Sequence, residues 1–505
     1  MTKAPEHLSQ QELESHLWGA AKLLRGLVDA GDYKQYVFPL LFFKRLSDVW
    51  DEEYHTAFRE TKDTSYARAT ADDRFAIPEG AHWADVRGAS RDVGRALLNA
   101  FRPIEAANPR RLSGIFGNAS WTDKAQMPDE TLKNLIEHFS QHDLGLTAVP
   151  EDELGNGYEY LIKQFADDSG HTAQEFYTNR TLVHLMAQML EPQAGESIYD
   201  PTVGTGGMLI SSLAEVKRQG GDVRTLALYG QELIHITAAI ARMNLVLHGV
   251  EDFEIVAGNT LSSPAFIESD RLRTFDVVLA NPPYSIRKWN REAWENDSWG
   301  RNFLGTPPQG RADYAFFQHI LKSLDPRTGR CAILFPHGVL FRNEEAEMRL
   351  KLVEMDLLEC VLGLGPNLFY NSPMEACVVV CRTRKPAERQ GRILFIDAVR
   401  EVARERAQSF LKPEHQERIL AAYRVFADEP GFARVATTAE VLEKDGNLSI
   451  PRYVRPIGSE ASTSEGEDLK STWAAFDAGG REFWQQVDAL MEVLDGTVAE
   501  EALDV

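Results

Sequence analysis

The sequence predicts a mixed α/β protein: a mostly parallel sheet with helices on both faces, behind a helical N-terminal domain and ahead of a helical tail. Three observations predict it. From about residue 156 to 400, short apolar runs alternate with helical segments, the texture of a covered parallel sheet. Before about residue 155, apolar residues recur at helical spacing. From about 401 to 505 the chain is charged and helix-prone.

The N-terminal region shows Leu13, Leu17, Leu23, Leu24 and Leu27, then Phe38, Leu41, Phe42 and Leu46, spaced for buried helix faces. In the middle region, strands are expected at 197–200, 226–232, 253–259, 275–280, 331–336, 358–364, 376–381 and 393–397. Helices are expected at 208–218, 234–248, 314–324 and 345–354. Ligands of such sheets bind beyond the C-terminal strand ends. Further on, 458–470 is rich in Ser, Gly and Glu and reads as a linker. A last helix is expected at 481–494. Its apolar stripe of Phe483, Trp484, Val487, Leu490, Met491 and Leu494 suits docking on the chain itself or on a partner.

Composition narrows the class. The 505 residues are 43% hydrophobic and 26% charged, an ordinary globular balance. There is no run of about 18 apolar residues and no signal-like N-terminus, so a cytoplasmic protein without a membrane span is expected. The four cysteines, Cys331, Cys360, Cys377 and Cys381, form no CxxC pair. They read as buried thiols, and no metal site is expected. A formal net charge of -22 argues against coating nucleic acid unaided, because phosphate affinity needs clustered Lys and Arg. Nucleic acid remains open as a substrate if a local basic surface or a partner supplies the grip.

The unusual residues fall at strand tips. The first strand ends at Asp200, followed by Pro201, Thr202, Val203, Gly204, Thr205, Gly206 and Gly207. Glycines there let the backbone turn sharply and approach a ligand. The spacing is neither the dinucleotide fingerprint nor a P-loop. Glu232 ends the next strand, where an acid can accept ribose hydroxyls. Asp200 can face a cationic amino group, and Asn259, at the third tip, can reach an adenine edge. Each acid alone also suits a helix cap or turn. S-adenosylmethionine, carrying an ammonium and a sulfonium, fits acidic loops better than a pyrophosphate does.

The fourth strand runs into Asn281, Pro282, Pro283 and Tyr284. Two prolines remove two backbone donors and stiffen the turn. The side-chain carbonyl of Asn281 and the backbone carbonyl of Pro282 can then converge on one amino group. Two such acceptors free the lone pair of an exocyclic base amine and stabilise the charge developing on it. Tyr284 can stack on an extruded base. Neither a metal nor a strong general base is required.

These motifs resemble those of adenine-N6 DNA methyltransferases, and the whole chain is similar to modification subunits of type I restriction–modification systems. Residues 200–207 resemble the family's glycine motif, and Asn281 to Tyr284 its Asn/Asp-Pro-Pro-Tyr/Phe motif. Upstream, Glu175, Phe176, Tyr177, Thr178, Asn179 and Arg180 resemble the family's cofactor-contacting segment, with Asn179 where Pro is usual. Asp is frequent where Asn259 stands. Residues 18–48 look like the family's helical N-terminal domain, 367–370 and 376–381 like its late sheet, and 447–453 like a C-terminal segment.

The resemblance implies a Rossmann-like S-adenosylmethionine-dependent methyltransferase fold whose sheet ends in an antiparallel hairpin. It implies S-adenosylmethionine as cofactor, DNA as substrate, and adenine N6 rather than cytosine N4 as the target. It implies assembly of two modification subunits with one sequence-reading specificity subunit, which a restriction subunit joins. The absence of a P-loop agrees with ATP-driven steps lying in another subunit.

Between 287 and 311 lie Arg287, Lys288, Trp289, Arg291, Trp294, Trp299, Arg301 and Arg311. The loop suits closure over DNA; equally, its tryptophans suit folding onto the protein. Rival readings are methylation of another planar amide or amine, a solitary DNA methyltransferase, and a cofactor-binding scaffold without turnover.

Overall fold

The computed structural model describes residues 7–168, 179–284, 286–366, 368, 375–405 and 408–455. The described residues up to Val454 form one compact unit. It begins with α1 (Gln10–Leu23), opened by a reciprocal cap between Ser9 and Glu12. There follow α2 (Lys34–Thr61), α3 (Val93–Ala107), α4 (Asp129–Phe139) and α5 (Glu151–Asp168). Leu13, Leu17, Leu24, Phe38, Leu41, Phe42 and Leu46 are buried in one core, as their spacing predicts. Leu23 and Leu27 are exposed instead. The helix stops at Leu23, and Gly26 turns the chain with φ +84°, so the stripe's period is broken there.

The sheet has nine strands: β1 (Ser197–Asp200), β2 (Ala227–Glu232), β3 (Phe253–Ala257), β4 (Val277–Ala280), β5 (Arg330–Pro336), β6 (Leu358–Leu364), β7 (Ala376–Arg382), β8 (Arg392–Ala398) and β9 (Ala433–Thr437). Their order is β9-β8-β6-β7-β5-β4-β1-β2-β3. From β3 across to β5 all neighbours are parallel. β7 runs antiparallel between β5 and β6. The sheet does not end at this β6–β7 hairpin. β8 adds in parallel to β6, and β9 adds antiparallel to β8. β9 lies in the stretch read as helical; its run Ala-Arg-Val-Ala-Thr is a short, half-buried edge strand with little apolar signal. The expected start of the fourth strand at Phe275 shifts to Val277, with Phe275 held by a lone bridge to Leu324.

Strand side chains alternate between two cores. Ile198, Val277, Leu279, Leu334, Leu362 and Val378 face α6 (Arg180–Leu190), α7 (Gly207–Arg218) and α8 (His235–Leu247). Tyr199, Val278, Ala280, Ile333, Val361 and Val379 face α9 (Asp313–Lys322) and α10 (Ala346–Glu354). The last large helix, α11 (Pro413–Val425), packs Ile419 and Tyr423 on the first of these faces. Burial on both faces explains why the strands read as continuous apolar runs. All four cysteines are buried and unbridged within β5, β6 and β7. Ile240, Met243 and Leu247 of α8 enter the N-terminal helical core. Among the described residues, no helix is long and apolar enough to cross a membrane.

Candidate functional site

β1 is flanked by β2 on one side and β4 on the other, so the crevice at its C-terminal end is the topological switch point of the sheet. Asp200, Glu232 and Asn281 stand at the tips of these three adjacent strands. With Tyr199 opposite Val278 and Asp200 opposite Gly230, the glycine loop begins beside both Asn281 and Glu232.

The loop is held open from several sides. Glu232 Oε2 accepts the Gly204 N–H at 3.0 Å, and Oε1 accepts the Ile234 N–H at 3.0 Å. This carboxylate therefore joins the glycine loop to the entry of α8. Gly204 and Gly206 have φ of +53° and +88°, which L side chains rarely adopt. A Cβ on Gly207 would collide with Arg180 Nη1, so glycine lets the guanidinium lie across the start of α7. A cation is unfavourable at a helix N-terminus. Arg180 is offset by its ion pair with Glu159. Glu159 Oε1 accepts from Asn244 Nδ2 at 2.5 Å, and Asn244 Nδ2 also donates to the Thr205 carbonyl at 2.8 Å. Glu159 and Asn244 escaped sequence reading because both sit unremarkably on helices, 46 and 39 residues from Thr205 in opposite directions.

Asp200 is buried, and its Oδ1 accepts the Thr202 N–H at 2.9 Å. Burial, reinforced by the nearby Glu232 charge, pushes its carboxyl up to about 8. Two neighbouring acids in one crevice make a site whose charge a cation would complete. That donor set fits a ligand with an ammonium or sulfonium and a ribose. Leu233, directly after Glu232, is 62% exposed, a large apolar side chain left open at the tip of β2; such a residue is indistinguishable from core in sequence.

Other expected contacts are partly committed elsewhere. Asn259 Oδ1 accepts the Leu261 and Ser262 N–H groups, so its carbonyl oxygen caps a turn. Asn179 Oδ1 caps α6 through the Thr181 N–H, and its Nδ2 donates to the Ser409 carbonyl. The helix cap gives Asn a use at the position where the family usually has Pro. Glu175, Phe176, Tyr177 and Thr178 lie outside the described residues.

At the tip of β4, Asn281 is half-buried, Pro282 buried and Pro283 exposed. The Tyr284 hydroxyl donates to Asn281 Oδ1 at 2.7 Å. Burial pushes that phenol's pKa upward, so it remains a donor. The Asn281 carbonyl is thus presented to a hydrogen-bond donor, with an aromatic ring beside it. The following loop is folded onto the protein through Trp294 and Arg301, both almost fully buried. Arg301 pairs with Asp297 at 2.6 Å, donates to the Thr260 and Leu261 carbonyls, and lies against the Trp294 and Trp299 rings. It ties the loop after Tyr284 to the turn after Asn259.

Comparison with known proteins agrees with this architecture. The N-6 DNA Methylase family profile matches residues 149–462, and the HsdM N-terminal domain profile matches 13–139. The MjaVIII type I restriction enzyme methylase subunit of Methanocaldococcus jannaschii is 30% identical over 495 residues, covering 92% of this chain and 82% of its own. The HindI methylase subunit of Haemophilus influenzae is 30% identical over 395 residues, covering 74% and 84%. The crystal structure of a type I restriction–modification methyltransferase subunit from Streptococcus thermophilus superposes with a TM-score of 0.78 at 30% identity, covering 88% of this chain and 100% of that one. With its glycine loop and Asn-Pro-Pro-Tyr turn at one switch point, this chain belongs to the N-6 DNA methylase family, among the type I methylase subunits.

Proposed function

We propose that this protein methylates adenine N6 in DNA as the modification subunit of a type I restriction–modification complex. The observation that carries the reading is the pairing of an aromatic-flanked carbonyl, Asn281 Oδ1, with an acidic, glycine-lined crevice one strand away. S-adenosylmethionine, when bound, supplies an activated methyl group. Glu232 holds its ribose, Asp200 faces its cationic end, and Leu233 and Asn259 border its adenine. Gly204, Thr205, Gly206 and Gly207 provide the close backbone approach, braced by Arg180. Asn179 sets the chain direction into α6, and Glu175, Phe176, Tyr177 and Thr178 complete the contacts through the family resemblance. Asn281 and Pro282 accept the two N–H groups of the target amine, Pro283 stiffens the turn, and Tyr284 stacks on the extruded base.

In this reading 1–155 is the helical domain, 156–400 carries catalysis, and 401–505 contacts partners. β9 extends the catalytic sheet into the last region. Two copies join one specificity subunit, which reads the sequence in the cytoplasm, and a restriction subunit completes the complex. Shared DNA grip accommodates the net charge of -22.

The test is methyl transfer from labelled S-adenosylmethionine to an adenine-containing duplex, by this chain alone and with its specificity subunit. N6-methyladenine formed only with the partner is expected. Transfer by the chain alone would indicate a solitary enzyme; cofactor binding without DNA methylation by either would overturn the reading.

Asp200 makes a separate prediction. Its carboxyl holds a proton at about pH 7, and an arriving cation favours the ionised form. Cofactor binding should therefore release about one proton, and affinity should climb as pH rises toward about 8. Calorimetry in two buffers of different ionisation enthalpy measures this; buffer-independent heats would exclude Asp200 as the cation's partner.

A further inference from the structure

The segment just beyond the tetrapeptide carries five cations: Arg287, Lys288, Arg291, Arg301 and Arg311. Three are neutralised within the fold. Arg291 pairs with Glu295 at 2.7 Å, Arg301 with Asp297 at 2.6 Å and Arg311 with Glu344 at 3.1 Å. Arg287 and Lys288 are exposed, and among the described residues no carboxylate pairs with either.

Their backbone is nevertheless fixed. Gln309 Nε2 donates to the Arg287 carbonyl at 3.2 Å and to the Trp289 carbonyl at 3.3 Å. Trp289 Nε1 returns a bond to the Gln309 carbonyl at 3.1 Å, and Arg291 Nε donates to the Pro307 carbonyl at 2.9 Å. This zipped loop is rooted by the buried Arg301–Asp297 pair. Arg287 follows Tyr284 by three residues, so their backbones are at most about 10 Å apart.

We propose that Arg287 and Lys288 form a preset phosphate-binding pair that receives the DNA backbone flanking the extruded nucleotide. The inference rests on the DNA reading above and adds to it a specific point of grip. A base that reaches Asn281 stays attached to its strand, so the flanking phosphates pass the rim of the pocket. In a chain of net charge -22, two uncompensated cations at that rim are a local exception to a repulsive field. The rigid root removes the ordering cost that a mobile loop would bring to binding.

The experiment compares wild type with the double variant Arg287→Ala/Lys288→Ala, each assembled with the specificity subunit. DNA affinity is measured by fluorescence anisotropy across a salt series. The log–log salt slope should fall by up to about 2, since each phosphate contact contributes roughly 0.9. Affinity at low salt should drop about tenfold or more, with the S-adenosylmethionine dissociation constant unchanged. A duplex with neutral methylphosphonates beside the target adenine should weaken wild type similarly and the variant no further. An unchanged slope in a variant that assembles normally would overturn the proposal. So would an unchanged slope with loss of assembly, which would assign the pair to a protein contact. If the wild-type complex neither binds nor methylates the duplex, it is the DNA reading itself that fails.

Discussion

Asn281→Ala should reduce single-turnover methylation by at least about 100-fold while leaving cofactor affinity nearly intact. Removing one preorganised hydrogen-bond partner of a developing charge typically has this effect, about 3 kcal/mol. The Asn281 carbonyl already accepts a donor at 2.7 Å, the Tyr284 hydroxyl, so the acceptor is oriented before any substrate arrives. The oxygen has a second lone pair, so an amino group of a flipped base can bond to it beside that hydroxyl. Tyr284→Phe removes that hydroxyl and keeps the ring, and should stay active. Tyr284→Ala loses base stacking of about 1–3 kcal/mol, read as a raised DNA KM. Asn281→Asp keeps an acceptor and should retain part of the activity, consistent with Asp at this place in the family motif. Full activity in Asn281→Ala, with the variant folded and cofactor-competent, would refute the assignment.

Glu232→Ala should weaken S-adenosylmethionine binding about tenfold or more and also loosen the protein without ligand. The second effect follows from the fold. The carboxylate accepts the Gly204 and Ile234 N–H groups, each at 3.0 Å, so the variant leaves two backbone donors without that partner. Each such loss costs about 1–3 kcal/mol where water does not replace it. Glu232→Gln separates the roles. It retains one carbonyl acceptor toward the loop but removes the charge, so it should recover more thermal stability than affinity. Calorimetric titration and a melting curve on the same three proteins decide the matter. An unchanged dissociation constant in Glu232→Ala would remove this residue from the cofactor site.

Much of the architecture was legible because burial is written locally. A strand covered on both faces must be apolar throughout, so 358–364 and 376–381 announced themselves as β6 and most of β7. The glycine loop and the Asn281 turn were legible for a related reason. Positive φ and paired prolines constrain the backbone wherever they occur, and both followed apolar runs. What required the tertiary structure was the partner of each polar group. Asn259 stands at a strand tip as a ligand contact would, and its carbonyl oxygen caps a turn besides. Asn179 bonds to Ser409, 230 residues away. Glu159 and Asn244 brace a loop distant from both in sequence. The loop at 287–311 had two balanced readings until the buried Arg301–Asp297 pair rooted it on the protein. β9 carries too weak an apolar signal to register as a strand, and its place was decided by pairing with β8. Side-chain periodicity encodes which residues leave water, and it acts over a few neighbours. Hydrogen-bond and ion-pair partners are chosen only when distant segments pack together, so the sequence alone determined eight of the sheet's nine strands, the glycine loop and the tetrapeptide, and the packed fold decided the ninth strand and how they are all braced.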